Sequence, residues 1–151
     1  MKALAVLVFV LTVASAPSAE AADFRRLAMS IAGDFFIDTR SIDDAVAVRS
    51  ATVLTVWPDD FDEDVEVELR RIEFDCAAYR TRTASSRTYT LEMTLKRDTR
   101  DPGPWEAVTD GSVGRVLWGF VCRGEVPQDV DSQTYRSARA AAQATVQEFR
   151  E

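Results

Sequence analysis

The side chains most often used in catalysis are scarce in this chain of 151 residues, which has no histidine and only two cysteines, Cys76 and Cys122. Serine and cysteine nucleophiles that depend on an imidazole base are therefore excluded. Two thiols without histidine do not make a zinc site, and the glycines are too scattered to cradle a phosphate. The sequence thus predicts a protein that is not an enzyme and that uses no cofactor.

Acidic residues offer the remaining chemistry, because they are concentrated in the segment Pro58–Asp64. Two carboxylates can catalyse glycoside hydrolysis, but a run of acids in a loop is typical of a solvated turn. Asp60, Asp62 and Asp64 have the alternate spacing with which a calcium loop begins, whereas the glycine and the closing acid of such a loop are missing. We predict no metal site, with these three aspartates as the calcium candidate.

Arginines on neighbouring predicted strands could form a positively charged stripe suited to an anionic partner such as a glycan. The alternative is that they pair across strands with four acidic residues of the segment 66–75. Trp57 stands beside a proline at the end of a predicted strand and could contact a partner. The candidate ligand surface comprises Arg70, Arg71, Arg80, Arg82, Arg87 and Trp57.

The first 21 residues have the layout of a secretory signal peptide. A positive start at Met1-Lys2 precedes an apolar run from Ala3 to Ala14, and Ala19-Glu20-Ala21 supplies small residues for cleavage. The run is shorter than the roughly 20 residues of a transmembrane helix, and a buried N-terminal helix is the alternative. We expect a signal peptide at 1–21, a mature domain at 22–151, and export to the periplasm or the exterior. No cysteine lies in or beside the signal, so no lipid anchor is expected.

The mature chain of about 130 residues is long enough for a single domain. It keeps the formal charge of −7 of the whole chain, because Lys2 and Glu20 of the signal cancel. Nucleic acid would be repelled by this charge, since no cluster of basic residues opposes it locally. In an oxidising compartment Cys76 and Cys122 predict a disulfide, with two buried free thiols as the alternative.

Alternating and β-branched residues predict an antiparallel sheet in the first part of the mature chain. Turns are expected at Asp38–Ser41 and at Ser85-Ser86. Between Leu69 and Ile72 the apolar alternation slips by one residue, which predicts a β-bulge at Arg70-Arg71 or, alternatively, a sharp bend. The predicted strands are Phe24–Ser30, Phe35–Ile37, Ala45–Trp57, Val65–Cys76, Tyr79–Thr83 and Thr88–Lys96.

Helices are expected after the strands. Ser112 is a suitable N-cap for a short helix over Val113–Val121, and Asp131 or Ser132 for a C-terminal helix from about 132 to Phe149. The predicted fold class is α+β: a bent antiparallel β-sheet of about six strands, with the short helix and the C-terminal helix packed on it.

Several short motifs follow one another in a characteristic order. A phenylalanine-rich strand leads into Asp-x-x-Ser, an Asp-Cys pair comes next, and a tryptophan, a Gly-Ser helix start and a second cysteine follow. The ordered set extends over roughly Phe24 to Arg123. Its positions are Phe36, Asp38, Ser41, Asp75, Cys76, Trp105, Gly111, Ser112 and Cys122.

This set resembles the bacterial surface-adhesin protein E-like family. The resemblance implies an exported domain with a bent antiparallel sheet, a helix cover and one disulfide between Cys76 and Cys122. The namesake of the family is a surface lipoprotein that binds host matrix proteins. The resemblance does not extend to the tail helix that follows Cys122.

We therefore expect an exported, non-enzymatic, adhesin-like binding domain of the bacterial envelope. Its ligand would be another protein or an anionic molecule of the envelope or the host. A small periplasmic hydrolase or an enzyme-inhibitor-like envelope protein is the alternative. Neither nucleic acid nor a transmembrane segment is expected. The partner should meet the arginine-bearing strands or the Pro58–Asp64 loop rather than an enclosed pocket.

Overall fold

The computed structural model describes residues 21–31, 33–45, 47–57, 65–128, 130 and 133–150. Residues 1–20 of the predicted signal, the acidic segment Pro58–Asp64 with its calcium candidates, and the predicted caps Asp131 and Ser132 lie outside the described residues. The elements are β1 (Phe24–Ser30), β2 (Gly33–Asp43), β3 (Val48–Trp57), β4 (Glu66–Asp75), β5 (Arg80–Tyr89), β6 (Leu95–Thr99), β7 (Glu106–Ala107), α1 (Val113–Arg123), β8 (Thr134–Tyr135) and α2 (Ala138–Phe149).

The described strands form one antiparallel sheet in the order β6-β5-β4-β3-β2-β1-β8, and β7 also pairs with β5. From β1 to β6 each strand pairs with the next in the chain, so the sheet is a meander. The α+β class and the C-terminal helix are confirmed. The sheet has eight strands rather than about six, because β7 and β8 are two-residue strands that no alternation could reveal. In the described part of the chain, no helix is both long and apolar enough to span a membrane.

The two helices cover opposite faces of the sheet, because neighbouring residues of a strand point to opposite sides. Phe36 pairs with Leu54 and Ile37 pairs with Val53, yet the first pair packs under α2 and the second under α1. We call these sides the α2 face and the α1 face. The central strands are thus buried on both sides by separate apolar clusters. The α2 face contributes Phe24, Phe36, Leu54, Val56 and Val67, and the α1 face Leu27, Ile37, Ala51, Val53, Ile72 and Phe74.

The predicted bulge at Arg70-Arg71 is wrong. β4 keeps an unbroken register with β3 from Glu66 to Asp75. The irregularity of this region lies in the pairing of β4 with β5, where Ala84 is the extra residue. The alternation of β4 slips because Val67 packs on the α2 face and Ile72 on the α1 face. The pattern arises because different helices bury different apolar residues of β4, and the register with β3 does not change.

The predicted turn at Asp38–Ser41 is also wrong, since β2 continues through it to Asp43. The β2–β3 register shifts between Asp38 and Asp43, and the side chain of Ser41 bridges the gap. Its Oγ donates to the carbonyl of Asp38 at 2.7 Å and accepts from the N–H of Thr52 at 2.7 Å. A side chain here supplies bonds that a regular ladder would take from the backbone.

The expected turn at Ser85-Ser86 is wrong for a related reason, because β5 runs through both serines to Tyr89. The chain reverses instead between Thr90 and Thr94, whose backbones bond at 2.9 Å, and Met93 adopts a φ of 68° there. The predicted strand Thr88–Lys96 is therefore the end of β5, this turn and the start of β6.

The cap predicted for α1 is confirmed, since Ser112 Oγ accepts from the N–H of Arg115 at 3.1 Å. The C-terminal helix begins later than predicted, at Ala138, with Ser137 as its N-cap. The residues before it are drawn into the sheet, because Tyr135 of β8 pairs with Phe24.

Candidate functional site

The cysteines form the predicted disulfide, which joins the turn after β4 to the last turn of α1. The Cα atoms of Cys76 and Cys122 are 5.5 Å apart, and the residues are separated by 46 positions. Beside the bond, the rings of Tyr79 and Trp118 meet edge to face with centroids 4.5 Å apart. The end of β4 is thus tied to α1 by a covalent bond and an aromatic contact.

The six predicted ligand residues do not form one surface. Direct partners in neighbouring strands share a face, so the register settles the side on which each lies. Arg71, Arg80, Arg82 and Arg87 belong to the α2 face, whereas Arg70 and Trp57 belong to the α1 face.

Three arginines on the α2 face are engaged in ion pairs with acidic residues of neighbouring strands. Arg80 Nη2 lies 2.9 Å from Asp75 Oδ2, and Arg82 Nε lies 2.6 Å from Glu73 Oε2. Arg87 approaches Asp98 of β6 at 3.5 Å. The first two pairs match the cross-strand alternative considered from the sequence, whereas Asp98 lies outside the segment 66–75. The three arginines therefore do not present a bare positive stripe.

Arg71 instead forms hydrogen bonds to residues of β2 and β3. Its Nη1 donates to the carbonyl of Ser41 at 3.0 Å and its Nη2 donates to Ser50 Oγ at 2.5 Å. Both partners lie at the irregular β2–β3 pairing, so Arg71 supports the backbone there.

Trp105, which precedes β7, is the aromatic residue that the arginines accompany. The guanidinium carbons of Arg80 and Arg82 lie 4.9 Å and 4.7 Å from the centroid of its ring. The ring is half-buried, and cation–π contacts of this kind hold an aromatic side chain in place at a surface. We call the set Trp105, Arg80, Arg82, Glu73 and Asp75 the Trp105 patch.

The acidic members of the patch place negative charge beside the positive charge of the two arginines. The pKa of Asp75 lies below its ordinary value, first because the backbone N–H of Ala78 donates to the carboxylate and second because Arg80 bonds to it. Asp75 is therefore ionised at neutral pH.

The placement of Trp105 beside two arginines was not predicted from the sequence. The available signal was the alternation Arg-Thr-Arg at Arg80–Arg82, because two cations two residues apart on a strand face the same side. Which aromatic ring covers them depends on the loop that leads to β7, and no local pattern reports that.

A cavity of about 340 Å³ lies on the α1 face, between the sheet and the beginning of α1. Trp57, Arg70 and Glu106 contribute to its lining, and Glu106 is the one carboxylate among the described lining residues. A pair of carboxylates, which acid–base hydrolysis of a glycoside requires, is not part of that lining. Among the described residues, no three His, Cys, Asp or Glu side chains are grouped to hold a metal ion.

Comparison with protein-family models gives a match over most of the chain. The family model of the surface-adhesin protein E matches residues 25–123, from β1 to the end of α1. No curated protein and no solved structure matches the chain at a significant level. The matched range holds the meander, the disulfide and the Trp105 patch, while β8 and α2 follow it. Since the match covers well over half of the sequence, the chain belongs to the surface-adhesin protein E family.

Proposed function

We propose that this protein is an exported, non-enzymatic domain that binds another protein through the Trp105 patch. Membership of the family supports an adhesin-like role. The observation that carries the proposal is the ring of Trp105, held by the guanidinium groups of Arg80 and Arg82 at the side of the sheet. Tryptophan and arginine are the residues most enriched among those that dominate protein interfaces.

The charges of the patch favour a protein over an anionic glycan. Two arginines are matched by Glu73 and Asp75 at 2.6 Å and 2.9 Å, so the patch is close to neutral. The chain as a whole has a formal charge of −7, which would repel a polyanion. A mixed surface with an aromatic centre suits a partner that offers both signs of charge and an apolar contact.

Export is proposed on separate grounds. The signal-like layout of residues 1–21 directs a chain out of the cytosol, and a disulfide persists in an oxidising compartment. Release of a mature chain beginning at Ala22, identified by N-terminal sequencing of the periplasmic and culture fractions, tests this part.

Binding is tested with the immobilised mature domain against purified extracellular-matrix proteins and against heparin, which serves as the polyanion. The variant Trp105→Ala should weaken capture of a matrix protein by at least about tenfold. The control Leu95→Ala removes another exposed apolar side chain, on β6, and should leave capture unchanged.

Charge reversal distinguishes the two kinds of partner. Arg80→Glu with Arg82→Glu should abolish capture of the matrix protein, while Arg97→Glu with Arg136→Glu, which changes the net charge equally at exposed positions, should not. Retention on heparin that only the first pair removes would show that an anionic glycan is the partner. Binding unaffected by Trp105→Ala would refute the patch.

A further inference from the structure

The cavity on the α1 face has the size of a small-molecule site. Its volume of about 340 Å³ falls at the lower end of the range of ligand pockets, roughly 300–1,000 Å³. It lies on the opposite side of the sheet from most of the Trp105 patch, although Arg82 also contributes to its lining. The proposed binding of a protein does not account for it.

The walls of the cavity suit a flat or branched apolar body. The rings of Phe35 and Trp57 stand edge to face at 5.7 Å, with an interplanar angle of 84°. Ile72, Phe74 and Leu117 are buried and also line the cavity. An apolar ligand placed here removes its own surface and part of the surface of Trp57 from water, which favours binding.

Arg70 gives the cavity a guanidinium group whose hydrogen-bonding capacity is only partly used. Its Nη2 donates to Thr55 Oγ1 at 3.0 Å. Its Nε forms an ion pair with Glu68 Oε2 at 3.5 Å but makes no hydrogen bond to the described residues. A guanidinium has five N–H donors and no acceptor. The remaining donors therefore favour a ligand that accepts hydrogen bonds and carries a negative charge.

Two carboxylates limit how much negative charge the cavity takes. Glu68 is already beside Arg70, and Glu106 belongs to the lining. A ligand with a second negative charge would be repelled by Glu106 and would leave that charge without a cationic partner. From the rings, the free donors and these acids, we propose that the cavity binds a small monocarboxylic acid with an aromatic or branched aliphatic body.

The test compares an aromatic monocarboxylate with its neutral amide, which has the same body, and with an aromatic dicarboxylate. Indole-3-acetate, its neutral amide indole-3-acetamide and the dianion isophthalate are titrated into the mature protein, and binding is followed by ligand-detected NMR and by isothermal titration calorimetry. Indole-3-acetate should bind about tenfold more tightly than the amide, because one charge-assisted hydrogen-bond pair is lost in the amide. Isophthalate should bind more weakly than indole-3-acetate.

Two variants assign the binding to this cavity. Arg70→Met should weaken indole-3-acetate about tenfold and leave the amide unchanged. Gly114→Leu should remove the binding of both probes, since Gly114 lines the cavity and a Cβ there meets only Ser112 Oγ, at 3.4 Å. Leucine is also the better helix former, so this variant should fold at least as well as the parent.

The control Arg97→Met removes an exposed arginine from β6 and should change nothing. Equal binding of the acid and the amide, or binding of indole-3-acetate that Gly114→Leu leaves intact, would overturn the proposal. Absence of binding by all three probes to the parent protein would do so as well. Since capture of a matrix protein is measured separately, neither result depends on the other.

Discussion

Arg26 of β1 and Glu148 of α2 form a two-pronged ion pair across 122 positions of the chain. Nη1 lies 2.8 Å from Oε2, and Nη2 lies 3.1 Å from Oε1. Nη2 also lies 3.2 Å from Oδ2 of Asp34, which accepts a hydrogen bond from Thr145 at 3.0 Å. The side chains of Arg26 and Asp34 are 5% and 2% exposed. This network attaches the C-terminal helix to the first hairpin of the sheet.

Removing the arginine should destabilise the fold strongly. In Arg26→Met the carboxylate of Asp34 stays buried without its cation, and breaking a buried pair from one side typically costs about 3–5 kcal/mol. Glu148→Gln should cost no more than about 1 kcal/mol, because the side chain of Glu148 is 49% exposed. Urea unfolding followed by circular dichroism measures both. If Arg26→Met with Asp34→Asn recovers none of the loss, missing packing rather than an isolated charge is responsible.

The same network predicts an unusual pH dependence. Burial raises the pKa of Asp34 above its ordinary 3.8, against the opposing effects of the charge of Arg26 and the hydrogen bond from Thr145. The folded state therefore binds this proton more tightly than the unfolded state. The stability that the proton contributes is complete below pH 3.8 and is lost as the pH rises through the raised value.

Asp34→Asn isolates this effect, because asparagine does not titrate. The free energy of unfolding of the parent minus that of the variant should be larger at pH 4 than at pH 7. The comparison with the variant is needed because Asp75, Asp98 and Glu125 have lowered pKa values. The folding stability that these carboxylates contribute is lost in acid. A difference that shrinks on acidification would show that Arg26 dominates and lowers the pKa of Asp34.

Removing the disulfide should lower stability without changing the sheet. Closing a loop of 46 residues contributes about 4 kcal/mol in the chain-entropy model. Cys76→Ala with Cys122→Ala should therefore lower the free energy of unfolding, measured by urea denaturation, by about 4 kcal/mol. The parent protein under dithiothreitol is the matched control and should unfold like the double variant. A loss below about 1 kcal/mol would mean that the unfolded chain is already restricted in this region.

The close approach of α2 to the sheet depends on its small side chains. Ala142 is fully buried, so Ala142→Leu should cost about 1–3 kcal/mol through overpacking. Gln143→Leu at the neighbouring exposed position should stay within about 0.5 kcal/mol of the parent. Thermal unfolding of both variants measures the contrast. Equal melting temperatures would indicate a gap between α2 and the sheet.

Local sequence patterns correctly predicted the features that involve a single helix. The amphipathic spacing and the serine cap predicted α1, and the paired cysteines predicted its bond to β4. They failed in β4, because Val67 and Ile72 are both apolar for different reasons, each buried by a different helix. A sequence records that a residue is buried, but the face is decided by elements far along the chain.

The serines misled for a different physical reason. Ser41, Ser85 and Ser86 are residues that favour turns, yet all three lie inside strands. Ser41 takes up the bonds of an irregular ladder, and β5 accommodates its extra residue by a register shift. The Trp105 patch was predicted in part: its arginines and their acidic partners were candidates, whereas the ring that the arginines hold is placed by the loop before β7.

The pairing of β1 with β8 and of Arg26 with Glu148 has a consequence for biosynthesis. The meander can assemble hairpin by hairpin as the chain is synthesised, but its α2 face has no cover until α2 has left the ribosome. Until then Phe24, Phe36 and Leu54 remain accessible to water and to chaperones that hold unfolded chains. The nascent chain therefore cannot complete its fold before α2 has emerged from the ribosome.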